Sequence, residues 1–230
     1  MNSIAHNIEQ ILREISDAAE KSGRKPDDIK LMAVSKTKPM EMLLEAYEAG
    51  MRLFGENRVQ EGVEKRKELP SDAEIELIGH LQSNKVKQAV GTFTCIQSVD
   101  SLKIAEKINK RAGDLEIVQD VLLELKTAEQ DEAKTGFSHI DDFFSAFEQI
   151  VAMENIRIRG MMTIAPFVSD ESLVRNSFRF CRENFEKAER LFSLKDFDTL
   201  SMGMSGDFKI AIEEGATLVR VGSSIFGTRY

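Results

Sequence analysis

The chain has 230 residues, 42% hydrophobic and 30% charged, which is enough for one sizeable core and suits either a single α/β barrel or two small domains. Its formal net charge is −8, whereas a nucleic-acid binder is expected to be basic. Two cysteines make no disulfide framework, so we expect a reducing, cytoplasmic compartment. We expect neither a signal peptide nor a membrane span, because charges occur early and no apolar stretch approaches roughly 20 residues.

The first predicted element is an amphipathic helix. Ile4, Ile8, Ile11 and Ile15 recur at helical spacing, and the pattern ends near Gly23. Strand-like segments follow, several of them nearly continuous apolar runs, which are typical of parallel strands covered on both faces. The predicted strands cover residues 30–35, 52–56, 75–80, 94–99, 117–125, 157–164, 199–204 and 218–222.

Helical patterns alternate with these strands, and no linker or low-complexity tract interrupts the series. They cover residues 40–49, 59–68, 85–90, 102–111, 142–153, 173–192 and 208–214. Eight β/α units predict one domain over residues 1–230, a single (β/α)₈ TIM barrel with an extra N-terminal helix. An open doubly wound sheet is the alternative, and the eighth strand and the leading helix favour the barrel.

Lys36 directly follows the apolar run of the first predicted strand. A lysine at a strand end can be desolvated and its pKa lowered, which is what condensation with an aldehyde requires. The alternative is an ordinary exposed surface charge. Lys38 leaves on the same side, but it precedes Pro39 and is expected to be more solvated. Lys36 is therefore the better candidate amine.

The last two predicted strands are each followed by a loop rich in glycine and serine. In a (β/α)₈ barrel the site lies at the carboxyl ends of the strands, and the loops after strands 7 and 8 often bind phosphate. Here these loops are residues 203–208 and 222–227. Each offers small residues, a hydroxyl donor and a helix N-terminus behind it. The alternative interpretation is that these residues only form turns, in which glycine and serine are common.

Arg220 lies within the last predicted strand, where side-chain alternation places it on one face with Leu218 and Gly222. Burying an arginine is costly without an acceptor. It could serve a structural ion pair, or it could contact an anion or a ring nitrogen in the barrel mouth. Because a barrel closes strand 8 onto strand 1, we expect Arg220 and Lys36 to lie on neighbouring strands.

Two further polar residues follow predicted strands at the same end. His80 either lines the site or is a structural histidine, and Asn57 either lines the site or caps the next helix. The other histidines, His6 and His139, are predicted on the surface. Three scattered histidines without clustered carboxylates or cysteines do not favour a metal site.

Several motifs in order resemble one known family. They are Ala-Val-Ser-Lys-Thr-Lys (33–38), Phe-Gly-Glu-Asn (54–57) with Val-Gln-Glu (59–61), Ile-Gly-His-Leu-Gln-Ser-Asn-Lys (78–85), Arg-Gly-Met-Met (159–162), Leu-Ser-Met-Gly-Met-Ser (200–205), Val-Arg-Val-Gly (219–222) and Ile-Phe-Gly (225–227). Across essentially the whole chain the sequence resembles the pyridoxal phosphate homeostasis proteins, single-domain relatives of the alanine racemase barrel.

The resemblance implies that Lys36 forms an aldimine with pyridoxal 5′-phosphate and that Arg220 faces its pyridine nitrogen. It also implies two further sets: a phosphate site of Ser205, Gly206, Gly222 and Ser223, and a pocket lining of Asn57, His80, Met162 and Ser201. The family binds and buffers the cofactor, affecting amino-acid and vitamin B6 balance, without established robust turnover. Many relatives have an aromatic residue where this chain has Arg58, so the resemblance does not predict the rim of the pocket here.

The residues also favour a non-catalytic role. An arginine is always protonated, so it donates to the pyridine nitrogen but cannot stabilise its protonated form, and the electron sink is weakened. Racemisation needs a second acid/base, which alanine racemase takes from a tyrosine of a second domain that we do not expect in this chain. The only tyrosines are Tyr47 and Tyr230, and neither is a natural candidate.

We therefore expect a monomeric cofactor-binding and delivery protein whose candidate recipients are pyridoxal phosphate-dependent apo-enzymes, with no nucleic-acid or membrane partner. A weak amino-acid racemase that uses the same lysine is the alternative. A Schiff-base aldolase acting on a sugar phosphate is a third hypothesis, since the lysine and the phosphate loops would permit it.

Overall fold

Eight parallel strands close into one barrel in sequential order, with the last strand paired to the first. The computed structural model describes residues 3–127 and 135–227. The strands are β1 (Lys30–Val34), β2 (Leu53–Glu56), β3 (Glu74–Leu77), β4 (Cys95–Val99), β5 (Gln119–Glu124), β6 (Ile156–Met162), β7 (Thr199–Met204) and β8 (Leu218–Val221). The predicted barrel is confirmed, and the open sheet is excluded.

Helices connect the strands and cover the outside of the barrel. They are α1 (Ile4–Lys21), α2 (Met40–Glu48), α3 (Val59–Glu68), α4 (Val86–Ala89), α5 (Leu102–Asp114), α6 (Ile140–Val151), α7 (Glu171–Phe192), α8 (Phe208–Glu213) and α9 (Ser223–Phe226). The main core lies between strands and helices, where the apolar stripes of the helices are buried. No described helix has both the length and the apolarity that crossing a membrane requires.

The extra helix α1 packs against α2, α8 and α9. Its four predicted isoleucines are all buried, which confirms the amphipathic pattern. The side chain of Asn7 donates to the carbonyl oxygen of Ile225 at 2.8 Å. The leading helix thereby supports the short helix that follows β8.

One strand boundary was wrong by three residues. The third strand ends at Leu77, not at residue 80. The physical reason is a close crossing, because a Cβ on Gly79 would collide with the backbone of Asn57. The chain leaves the sheet there, and His80 follows the strand and does not end it.

The barrel interior holds two apolar clusters separated by polar side chains. Met32, Val34 and Leu218 form one cluster, and Cys95, Leu122 and Met162 form the other. Between them lie buried polar residues that interior packing must satisfy by hydrogen bonds, namely Glu76, Gln97, Ser201 and Arg220.

Candidate functional site

Lys36 is the second residue of a tight turn that leaves β1 at the carboxyl end of the barrel. The amide of Lys38 donates to the carbonyl oxygen of Ser35 at 3.0 Å, which closes the turn. Thr37 adopts φ of 62°, the left-handed conformation that such turns usually assign to glycine. Lys36 itself is half-buried. The candidate amine is thus held at the barrel mouth by an ordered turn.

Lys38 has a different position. Its ammonium donates to the carbonyl oxygens of Phe226 and Gly227 at 3.1 and 2.9 Å. A cation at these carbonyls also complements the helix dipole at the end of α9. Lys38 ties the first loop to the last helix, which supports Lys36 as the candidate amine.

Arg220 is only 3% exposed and lies inside the barrel. It pairs in register with Met32 of β1, so it stands on the strand next to the one that carries Lys36, as expected. Its guanidinium donates to Ser201 Oγ at 2.6 Å and to the Thr163 carbonyl oxygen at 2.8 Å. Burial lowers the pKa of Arg220 to about 10, against the opposing charges of Asp207 and Glu124. The group therefore remains a cation at neutral pH.

A chain of hydrogen bonds continues from Arg220 across the barrel. Ser201 Oγ donates to Gln97 Oε1 at 2.7 Å, and Gln97 Nε2 donates to Glu76 Oε2 at 2.5 Å. Glu76 borders a cavity of about 360 Å³ at the amino end of the strands, which Cys95 also lines. The orientation of Arg220 is thus fixed from beneath by buried side chains.

Glu76 makes the stability of this barrel depend on pH. Burial raises the pKa of Glu76 to about 7, so the folded state holds its proton more tightly than the unfolded chain does. The stability that this proton contributes is present at low pH and is lost as pH rises through about 7. Glu76→Gln should therefore raise the free energy of unfolding at pH 8 by about 3 kcal/mol.

At pH 5 the same variant should differ from the wild type by less than about 1 kcal/mol. Urea denaturation at the two pH values measures both differences, and an equal effect at pH 5 and pH 8 would contradict the assignment. The amide of the variant still accepts from Gln97, which keeps the chain of hydrogen bonds intact.

Asn57 directly follows β2 and is half-buried at the mouth. It does not cap α3, since the cap position is Arg58, which is exposed on the rim. Its Oδ1 atom is buried without a hydrogen-bond partner among the described residues. Leaving a buried acceptor unpaired is costly, so this atom is open to a donor from an ordered water or a bound ligand.

His80 and Met162 differ in depth. The His80 side chain is 48% exposed, and its Nδ1 lies 2.9 Å from Oδ2 of Asp100 at the end of β4. Met162 is fully buried in the barrel interior beside Leu122. His80 therefore stands at the rim of the mouth and Met162 at its floor.

The two glycine-serine loops meet, as the barrel predicts. The amide of Gly222 donates to Ser205 Oγ at 3.2 Å, which joins the loop after β7 to the loop after β8. Gly206 and Ser223 are exposed, and no atom lies within 4 Å of a Cβ built on Gly206. A Cβ on Gly222 would lie 3.1 Å from the Val34 carbonyl oxygen. These loops stand before α8 and α9 with open space in front of Gly206.

Sequence reasoning missed Glu124, which ends β5 at the same face. It is 2% exposed and accepts hydrogen bonds from Thr135 Oγ1. Burial raises its pKa to about 7, while Arg220 acts in the opposite direction. A charged residue that closes an apolar run was the available signal, the same one that indicated Lys36. Sequence reasoning also missed Gln97, a polar residue inside the apolar strand β4.

Comparison with known families agrees with this geometry. A family model described as "Alanine racemase, N-terminal domain" matches residues 1–230. The pyridoxal phosphate homeostasis protein of Aquifex aeolicus (strain VF5) is 40% identical over 96% of each chain. The protein of that name from Escherichia coli (strain K12) is 38% identical over all of this chain and 98% of its own.

Solved structures extend the comparison. PipY of Synechococcus elongatus PCC7942, solved with PLP bound, aligns with a TM-score of 0.81 and 36% identity over 93% of this chain and all of its own. Alanine racemase of Clostridium difficile 630 aligns with a TM-score of 0.72 at 18% identity, which shows a shared fold. The barrel is therefore of the alanine racemase N-terminal type. The chain belongs to the family of pyridoxal phosphate homeostasis proteins.

Proposed function

We propose that this protein binds pyridoxal 5′-phosphate covalently through Lys36 and serves intracellular vitamin B6 homeostasis without robust turnover. The observation that carries the proposal is the closure of β8 onto β1. It places the buried cation Arg220 inside the barrel below the turn of Lys36, in a chain of this family. The linked loops at Ser205 and Gly222 stand at the same mouth.

The residues of the mouth fit this cofactor. The unprotonated Nζ of Lys36 would add to the aldehyde carbon, and loss of one water leaves a C=N bond, the aldimine. Arg220 would donate to the ring nitrogen, and Asn57 offers an acceptor that no described residue satisfies. The proposed phosphate site is Ser205, Gly206, Gly222 and Ser223, and the proposed lining is Asn57, His80, Met162 and Ser201.

Two observations support binding over catalysis. Arg220 stays protonated at neutral pH, so it does not stabilise a protonated pyridine ring, and the ring is a weaker electron sink. Tyr47 donates its hydroxyl to Asp72 at 2.6 Å, just before β3 and so at the amino end of the barrel, away from Lys36. Tyr230 lies outside the described residues. A weak racemase remains the alternative, tested by chiral analysis after incubation with L-amino acids.

We propose a single domain over residues 1–230 that is monomeric, lies in the cytoplasm and passes its cofactor to pyridoxal phosphate-dependent apo-enzymes. The family membership and the PLP-bound PipY structure support this cofactor over the sugar phosphate of an aldolase.

The decisive test is Lys36→Ala. Wild-type protein incubated with pyridoxal phosphate should show the aldimine absorbance, and borohydride reduction should add the cofactor's mass at Lys36. Lys36→Ala should lose both, yet it should keep part of its affinity for pyridoxamine 5′-phosphate, whose amine cannot condense with a lysine.

Lys38→Ala is the matched control, because it removes the neighbouring ammonium and should leave the covalent product at Lys36. Wild-type protein that takes up no pyridoxal phosphate would overturn the proposal. If Lys36→Ala carried the reduced cofactor on another lysine to the same extent as the wild type, the assignment of Lys36 would be overturned.

A further inference from the structure

A charge cluster with two buried members and one partly buried member lies directly beneath the turn that carries Lys36. It consists of Lys65 and Glu61 on α3 and Glu56 at the end of β2, and we refer to it as the Lys65 cluster. The Lys65 side chain is 9% exposed, and that of Glu56 is completely buried. The Lys65 ammonium contacts Glu56 Oε1 at 2.6 Å, Glu61 Oε1 at 2.7 Å and the Ser35 carbonyl oxygen at 2.7 Å. All three donors of the ammonium are therefore used.

The Lys65 cluster holds both residues that flank Lys36. Ser35 Oγ donates to Glu56 Oε1 at 2.7 Å, and the amide of Thr37 donates to Glu61 Oε1 at 2.6 Å. Lys65 itself binds the carbonyl oxygen of Ser35. One ammonium thus holds the backbone on either side of the candidate amine, directly at the Ser35 carbonyl oxygen and through Glu61 at the Thr37 amide. Glu56 holds the side chain of Ser35.

The conformation at Thr37 needs such support. A φ of 62° is unfavourable for a β-branched residue, and it persists only where the surroundings enforce it. The hydrogen bond from the Thr37 amide to Glu61 supplies that constraint. Since the turn sets the direction in which the Lys36 side chain leaves the backbone, the constraint reaches the amine.

Burying the charged groups of the Lys65 cluster also costs free energy, which apolar residues in the same space would avoid. Apolar residues of similar volume often stabilise a fold as well as a buried ion pair does, or better. Glu56 Oε2 is buried without a hydrogen-bond partner among the described residues, and burial raises the pKa of this carboxyl. The polar groups of the cluster hydrogen-bond to one turn, the turn that carries Lys36.

From this geometry we propose that Lys65 is a positioning residue for Lys36. Its ammonium, acting through Ser35 and through Glu61 to Thr37, holds the turn in the shape that directs the Lys36 amine into the barrel mouth. This inference rests on the proposed function, because it assumes that Lys36 is the residue that takes the aldehyde. Lys65 is assigned no contact with the cofactor.

The test compares two ligands that differ in the aldehyde. Pyridoxal phosphate needs the amine of Lys36 in place, whereas pyridoxamine 5′-phosphate offers the same ring and phosphate with an amine. Glu61→Gln leaves a neutral acceptor for the Thr37 amide, so it weakens that hydrogen bond and removes the ion pair with Lys65. We expect it to weaken pyridoxal phosphate binding by about tenfold. Its affinity for pyridoxamine 5′-phosphate should stay within about twofold of the wild type, because the phosphate and ring contacts are untouched.

The matched control lies on the same helix. Lys67 and Glu64 form an exposed ion pair, with side chains 62% and 70% exposed. Glu64→Gln makes the same chemical change at an exposed position that pairs with Lys67 and not with Lys65, and it should alter neither affinity. Lys65→Met should show the split of Glu61→Gln more strongly, and if that variant does not fold, Glu61→Gln decides.

Equal losses for both ligands in Glu61→Gln, or no loss for either, would overturn the inference. Wild-type protein that takes up no pyridoxal phosphate would count against the proposed function instead. In that case amide hydrogen exchange of Thr37 in the cofactor-free protein still tests the turn. Glu61→Gln should speed this exchange by about tenfold, and an unchanged rate would overturn the role assigned to the Lys65 cluster.

Discussion

Replacing Lys65 with methionine should lower the free energy of unfolding by about 3–5 kcal/mol, because removing one partner of a buried pair leaves uncompensated charge. The ammonium contacts two carboxylates and one carbonyl oxygen, and Glu56 is fully buried beside it. Methionine fills a similar volume, so the loss reflects charge and hydrogen bonding more than a cavity. A loss of this size is a large fraction of the stability of an ordinary domain.

The pH dependence of that loss separates charge from packing. Burial raises the pKa of Glu56 in the wild type, and the Lys65 hydrogen bond opposes that rise. Without Lys65 the pKa rises further, and a raised pKa means stability that is lost as pH increases. The deficit of Lys65→Met should therefore be larger at pH 8 than at pH 5, where Glu56 can bind a proton.

Urea denaturation of wild type, Lys65→Met and Lys67→Met at both pH values measures these differences. Lys67 pairs only at the exposed surface, so its variant should fall within about 0.5 kcal/mol of the wild type. A deficit of Lys65→Met that is small, or that does not change with pH, would show that the buried charges are not what the ammonium compensates.

Gly160→Ala should cost about 3 kcal/mol or more, since it forces a side chain into neighbouring backbone. Gly160 pairs with Thr199 between β6 and β7 and has φ of 155°. A Cβ at Gly160 would collide with the Thr199 carbonyl oxygen, and it would lie 3.1 Å from the Thr199 Cα. Backbone cannot move aside as a flexible side chain does, so the two strands must separate.

The same substitution should weaken cofactor binding. Met162 pairs with Ser201 two residues further along these strands, and Ser201 accepts the hydrogen bond that orients Arg220. Thermal denaturation and the affinity for pyridoxamine 5′-phosphate report the two effects. Gly23→Ala is the control, because φ there is 72° with no atom within 4 Å, and it should cost only about 1 kcal/mol. Similar losses of stability in Gly160→Ala and Gly23→Ala would contradict the prediction, because they would show that the strands accommodate the added Cβ.

The elements of the fold were largely predictable because their signals are local. Isoleucines at helical spacing predicted α1, and apolar runs predicted all eight strands. Boundaries were less predictable where a tertiary contact set them. The strand β3 ends early because Gly79 crosses the backbone of Asn57, a contact between segments that sequence periodicity does not describe.

The candidate site was predictable only in part. Lys36 and Arg220 were recognisable as cations in or after apolar strands, and their proximity followed from barrel closure. Glu61 and Lys65 carried no such signal, since a Glu and a Lys four residues apart on a polar helix are typical of an exposed surface pair. Their position depends on how α3 packs over β2 and β3 and reaches the turn after β1, which no local pattern reports.

The sequence by itself therefore determined the class of fold, the family and the candidate amine, because periodicity and ordered motifs are written along the chain. Only the tertiary structure decided what holds that amine. The ammonium of Lys65 binds the carbonyl oxygen of Ser35 from 30 residues away, and Arg220 is oriented by Ser201 from another strand. Hydrogen bonds act over a few ångströms, so these partners become visible only when the folded chain brings distant segments together.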